Sequence, residues 1–223
     1  MALMGTAAAI LTFDVAADAI DEHDHWHTHE HLPERLAIPG FLRGTRWVAV
    51  EGNLRYFVLY EVEVLATLTS AAYLARLDRP TPWTTKMMPH YRGMTRAFCA
   101  VTASFGAGIG HAAALIRFKP PKENARPLRE SLIGTVLPPV PARRGLGSAH
   151  LLEAAATPPS TNEQRIRGVD ATLDCAVLAI GYSAAHVSDL IRNELSEERF
   201  RQQGADEYAA VVYRLDYSLT HRG

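Results

Sequence analysis

One succession of hydrophobic periodicities, met twice along the chain, constrains the fold more than any other feature. From Ala7 to Val15 the residues alternate, with Ala9, Leu11, Phe13 and Val15 on one side and Ile10, Thr12 and Asp14 on the other. That period of two predicts a half-buried strand. A polar stretch follows, with Asp21 as N-cap, and predicts a helix running toward Leu36. Pro33 lacks an N–H and crowds the carbonyl of His29, so a kink or end is expected near His31. Pro39-Gly40 turns the chain into a strand from Leu42 to Glu51, and Gly52-Asn53 turns it into another from Arg55 to Val64. Leu65 to Leu77 has helical spacing, Asp78 to Arg92 reads as a long loop around PTPWT, and Thr95 to Ala103 reads as a strand.

The second half repeats the order. Gly106 to Gly110 is a glycine-rich joint. Ala112 to Phe118 predicts a strand and Lys122 to Ile133 a short helix. After the loop LPPVPARRG come a strand from Ser148 to Ala155, a polar connection from Thr157 to Gly168, and a strand from Leu173 to Ile180. A helix from Ala184 to Glu198 and a strand from Glu207 to Tyr217 complete it. The segment LRYFVLYEVEVLATLTSAAYLARL from Leu54 matches LDCAVLAIGYSAAHVSDLIRNEL from Leu173 in apolar spacing. The expectation is an α+β chain of two tandem β-α-β-β-α-β units, the ferredoxin-like order, spanning 1–105 and 106–223. A four-stranded sheet with helices on one face leaves the other bare. Two such sheets packed face to face bury both and close into an intramolecular barrel.

Charge and cysteine content narrow the function. With 23 basic and 24 acidic residues the chain carries a net charge of −1, no footprint for nucleic acid or an anionic membrane surface. The two cysteines, Cys99 and Cys175, lie in apolar runs and form no disulfide framework, which suits a reducing, cytoplasmic setting. No apolar run reaches the ~20 residues of a membrane helix, and the N-terminus lacks the basic region of a signal peptide. There is no G-x-G-x-x-G after a strand, no P-loop, no G-x-S-x-G and no CxxC pair.

The segment DEHDHWHTHEHLPER, from Asp21 to Arg35, holds five of the ten histidines. On a helix, residues four apart share a face, so His23, His27 and His31 form one row and His25 and His29 another. Three readings stand. The first is a solvated polar face. The second is acid–base chemistry, with His31 as general acid/base and Glu30, His27 or Arg35 orienting it or binding substrate. The third is a metal site built on His27 and His31 at i, i+4. No metal and no cofactor is expected, and the ten histidines leave haem ligation open. Tyr60 is on a strand face, and Trp83 and Tyr91 are in the long loop. With Trp26 they are candidates to touch a small hydrophobic molecule, and packing roles are the alternative for each. Arg35 is expected in a surface ion pair, and Glu61 and Glu63 as partners of the strand residues Arg46 and Arg96.

Trp26 to Phe41, with EHLPERLAIPGF, resembles the signature helix and turn of dimeric α/β-barrel proteins, nearest to the EthD-like and stress-responsive groups. Tyr56 to Arg96, with YFVLYEVE, SAAYLA, RPTPWT and MMPHYRGMTR, resembles a bacterial branch of that superfamily. The resemblance covers residues 7 to 105. It implies the barrel fold and points to His31, the histidine of H-x-P, as the functional group. Members of the superfamily include cofactor-free monooxygenases, isomerases, cyclases and lyases as well as non-catalytic proteins. The resemblance therefore implies a small enzyme on a hydrophobic or aromatic metabolite, or a ligand-binding or stress-related protein of the same fold. The helix KENARPLRESLI of the second half has no histidine, so one site per chain is expected, and a homodimer of the whole chain stays open.

Overall fold

A computed structural model describes residues 3–50, 52 and 54–221. The strand end expected at Glu51 and the turn residue Asn53 lie outside the described residues. Eight antiparallel strands form one closed barrel: β1 (Ala7–Val15), β2 (Phe41–Ala49), β3 (Tyr56–Val62), β4 (Tyr91–Gly106), β5 (Ala112–Lys119), β6 (Leu146–Ala156), β7 (Cys175–Gly181) and β8 (Asp206–Thr220). Around the barrel they run β1-β3-β2-β8-β5-β7-β6-β4. The first four strands lie side by side as 4-1-3-2, and β5 to β8 repeat that order. The seams are β2 on β8, where Trp47 faces Leu215, and β4 on β6, where Val101 faces Leu152. Closure leaves no strand edge exposed.

The alternation of each strand separates two environments. One apolar cluster takes residues from all eight strands, among them Ile10, Trp47, Leu59, Cys99, Leu115, Leu152, Leu178 and Tyr213. It is therefore the barrel interior. The opposite faces of β1 to β4 carry Phe13, Tyr56, Val58, Tyr60 and Phe98, which pack under the helices of the first half. A third cluster, with Ile116, Leu128, Leu132, Val187 and Phe200, does the same in the second half.

The helical segment from Ile20 to Leu36 does not stop at His31. It runs as α1 (Ile20–Trp26), a π turn (His27–His31) and α2 (Leu32–Leu36). The Leu32 N–H bonds the carbonyl of His27, five residues back, and this wide turn admits Pro33, whose ring would crowd a regular α turn. Further along, the stretch 65–77 divides into a 3₁₀ turn (Leu65–Thr69) and α3 (Ala71–Asp78), because Ser70 takes the N-cap and accepts from Tyr73 N at 3.2 Å. The expected long loop contains α4 (Pro82–Met87), capped by Thr81. Thr-Pro is a helix-start signal that the surrounding prolines obscure.

In the second half, α5 (Arg126–Ser131) also continues into a π turn, Leu132–Val136. The polar connection after β6 holds α6 (Asn162–Arg167). The expected helix 184–198 is two, α7 (Ala184–Arg192) and α8 (Glu197–Gln202). Among the described residues, no helix is long and apolar enough to cross a membrane.

Candidate active site

The row of histidines faces the protein, which excludes the solvated-face reading for that side of the helix. His23, His27 and His31 are all buried, whereas His25 and His29 are exposed. The buried rings follow one another with centroids 5.4 Å apart at each step. His23 is held at one end: its Nδ1 lies 3.0 Å from Asp24 Oδ1 and its Nε2 3.2 Å from the Tyr91 hydroxyl. Asp24 also accepts from the Tyr56 hydroxyl at 2.8 Å. His27 and His31 differ from it. The Nδ1 of each is buried without a hydrogen-bond partner. Burial, reinforced for His27 by His23 and for His31 by Arg35, pushes both pKa values well below the ordinary histidine value of 6.5. Both are neutral at pH 7.

These two histidines line a narrow, largely buried cavity between the outer face of β1, β3 and β4 and the helices. Its apolar wall includes Phe13, Val58, Leu77, Met88 and Met94, and its polar wall includes Arg35, Tyr60, Tyr73, Tyr91, Arg96, Glu163 and Arg167. The free space is about 30 Å³, room for a water molecule or two. Two more polar atoms of this wall, Tyr60 Oη and Arg35 Nη1, are buried and unpartnered. Burial raises the Tyr60 hydroxyl well above the usual tyrosine range, so it stays protonated and can donate.

Arg35 is not on the surface. Its side chain is buried, and its Nη2 lies 2.6 Å from each carboxylate oxygen of Glu163, on α6. Burial acts to lower the guanidinium pKa, but the charge and hydrogen bonds of Glu163 together with Tyr73 and Tyr60 act against it and the net shift is upward. Arg46 and Arg96 also depart from expectation. Arg46 bonds Asp216 at 2.7 Å, and Arg96 lies 3.1 Å from Asp170, which Arg167 holds at 2.6 Å. Glu61 points into the barrel and is taken by Arg43, at 2.6 Å and 2.8 Å. Glu61 and these two arginines face opposite sides of the sheet and cannot pair; Arg46 finds its acid on β8 and Arg96 in the connection after α6, partners that the linear sequence does not show.

Of the expected site residues, the fold brings His27, His31, Arg35, Tyr60 and Tyr91 to one cavity. Trp26 and Trp83 do not line it. The Trp26 indole packs against His31 with centroids 4.4 Å apart and donates from Nε1 to Glu30 at 3.0 Å. Glu30 also accepts from the Thr81 hydroxyl at 2.6 Å, so its link to His31 runs through Trp26. Trp83 sits outside, on Glu22 and beside His25. Glu163 and Arg167 were not legible as site residues: they lie in a polar connection with no apolar periodicity, and Glu163 meets Arg35 across 128 positions. Among the described residues, no three His, Cys, Asp or Glu side chains converge as a metal-ligand set.

No protein-family model and no curated protein sequence matches the chain. Solved structures do match in fold. An anthrone oxidase-like protein superposes with a TM-score of 0.65 at 9% identity, over 99% of this chain and 96% of the other. A protein described as a candidate monooxygenase from Fusobacterium nucleatum gives 0.61 at 8% identity, over 99% and 97%. Chlorite dismutase from Candidatus Nitrospira defluvii, in complex with imidazole, gives 0.59 at 11% identity, over 96% and 92%. At such identities the likeness concerns the fold.

Proposed function

We propose that the chain is a small enzyme that needs no cofactor and acts on a hydrophobic or aromatic metabolite, with His31 as its general acid/base. One observation carries this reading. A neutral, buried imidazole with an unpartnered Nδ1 lines a largely buried cavity together with an unpartnered phenol and an unpartnered guanidinium nitrogen. Buried polar groups are nearly always hydrogen-bonded, and the exceptions concentrate where a ligand supplies the missing partner. Neutral His31 can take a proton from an acidic C–H or O–H of a substrate. The oxyanion left behind would be met by Arg35 and the Tyr60 hydroxyl, donors already fixed by packing. His27 lies beside His31 to bind substrate or pass the proton on. Glu30 positions His31 through Trp26. Proton abstraction of this kind serves isomerisation, cyclisation, elimination and oxygenation of activated carbon alike. Neighbours described as monooxygenase and anthrone oxidase-like proteins agree with the last.

We further read residues 1–105 and 106–223 as two copies of one ferredoxin-like unit related to the EthD-like barrels. The recurring 4-1-3-2 strand order and the π turns at 27–31 and 132–136 support this. Only the first copy keeps histidines on its π turn.

The test is initial rates of wild type and His31→Ala on a panel of aromatic ketones and phenols, with absorbance and oxygen uptake as readouts. Loss of about 10²-fold or more is expected for a general base. A ligand-binding protein would show no turnover to lose and would only bind more weakly.

A further inference from the structure

The cavity is closed by a segment of unusual composition. Between Thr157 and Asp170 no apolar side chain is buried. Ile166 and Val169 point outward, at 37% and 95% exposure. Thr161 and Glu163, both polar, are the residues this stretch buries. What holds the segment down is polar: Glu163 on Arg35, Asn162 on Asp78, and Asp170 on Arg96 of β4. The far end of the segment is clamped to β4 through Arg96 N to Ala171 O and Ala171 N to Met94 O. An element that buries little apolar area opens at small cost, and a cavity of about 30 Å³ must open before it admits a metabolite.

The latch of this lid is unevenly bonded. Both Glu163 oxygens sit on the single nitrogen Nη2 of Arg35, while Nη1, equally buried, has no partner. A fork-on-fork carboxylate would take both nitrogens. Glu163 is also the one carboxylate among the described lining residues, against three guanidiniums, those of Arg35, Arg96 and Arg167. Asp170 answers Arg96 and Arg167 together. If Glu163 leaves with the lid, Arg167 leaves on the same helix, and Arg35 and Arg96 face the single charge of Asp170 beside neutral histidines. An unpaired buried guanidinium is costly, so opening is easiest when an incoming oxyanion takes the place of Glu163.

We infer that Glu163 is an internal stand-in for the acidic group of the ligand, and that α6 is a lid displaced by an aromatic acid whose oxyanion seats on Arg35 Nη1 and the Tyr60 hydroxyl. The inference rests on the proposed active site and adds its ligand class: an oxyanion, carboxylate or acidic enol, on a flat apolar frame that Phe13, Tyr73 and Met94 flank. It makes Glu163 a competitor of the ligand rather than a contact to it.

The probe is 1-naphthoate, with neutral naphthalene-1-methanol as control, titrated calorimetrically into wild type and Glu163→Gln. Glutamine keeps the side-chain shape and removes the competing charge. The expected result is that Glu163→Gln binds 1-naphthoate at least tenfold more tightly than wild type, with no such gain for the alcohol. Equal or weaker binding of 1-naphthoate by Glu163→Gln overturns the inference. A second measurement uses the wild-type chain alone. Saturating 1-naphthoate should speed hydrogen–deuterium exchange in residues 161–168, and slowed or unchanged exchange there would also overturn it. Neither readout depends on turnover. If His31→Ala abolishes activity while the naphthoate signature is missing, the acidic ligand falls and the acid–base site stands. If the signature is present while His31→Ala turns over normally, the lid stands without that chemistry.

Discussion

Arg35 and Glu163 meet at 2.6 Å across 128 residues of chain, joining the helix of one half to a connection of the other. The two partners are not equivalent. Arg35 is fixed inside by α2, whereas Glu163 rides on a segment with no fully buried apolar side chain. Removing the acid strands a buried cation; removing the base lets the acid turn to water. Glu163→Gln is therefore expected to lower unfolding stability by about 3 kcal/mol. Arg35→Met should lower it by less. Urea unfolding of both variants checks this, and the reverse order would contradict it.

Glu30 holds the Trp26 indole, which lies against the His31 ring. Glu30→Gln weakens that hold and leaves His31 chemically intact. Its stability cost is expected at about 1–2 kcal/mol. Activity should fall by about tenfold, less than for His31→Ala, with Trp26→Phe giving a similar loss. A loss equal to that of His31→Ala would mean that Glu30 meets the substrate itself.

Acid should unfold this protein earlier than its carboxylates alone require. Burial depresses His23, His27 and His31, and it takes His150, inside the barrel beside Ser104, down to about 4. A depressed histidine stays neutral in the folded chain while the unfolded chain binds a proton below 6.5. Stability is then unaffected above pH 6.5 and falls as pH drops toward the folded pKa. For His150 alone the loss is about 3 kcal/mol by pH 4. Unfolding midpoints between pH 8 and 4 should be level above 6.5 and drop below it, and His150→Phe should flatten part of the slope. Because His31 does not titrate near 6.5, kcat/KM should stay level from pH 8 to about 6.

The metal-dependent alternative has its own check. Protein purified without a tag or metal column is expected to hold far less than one equivalent of zinc, copper, nickel or iron. Chelation should leave activity unchanged. One equivalent lost together with activity would make His27 and His31 its first ligands.

The succession of strands was legible from alternation in β1 and from short apolar runs bounded by turns, as in β3 and β7, which are buried on both faces. Ile10, Leu59 and Leu178 all mark the inner face without reference to any neighbour. The row of His23, His27 and His31 was legible by spacing alone. Its burial was not, because nothing local distinguishes a polar helix face that meets water from one that meets Tyr60 and Tyr91. The π turn escaped because a proline inside a helical pattern ordinarily ends it, and here a five-residue hydrogen bond accommodates Pro33 instead. The ion pairs of Arg35, Arg46 and Arg96 escaped for a different reason. Each partner comes from a distant segment, and charge pairing carries no sequence period.

His31, as proposed, removes a proton from a ligand inside the cavity. The measurement closest to that step is deuterium incorporation into the acidic methylene of 2-tetralone in D₂O, followed by proton NMR with wild type and His31→Ala at pH 7. Wild type is expected to exchange that methylene well above the buffer rate, and His31→Ala to lose about 10²-fold or more of the excess. Exchange by wild type no faster than buffer, or equal exchange by the two proteins, would contradict the account.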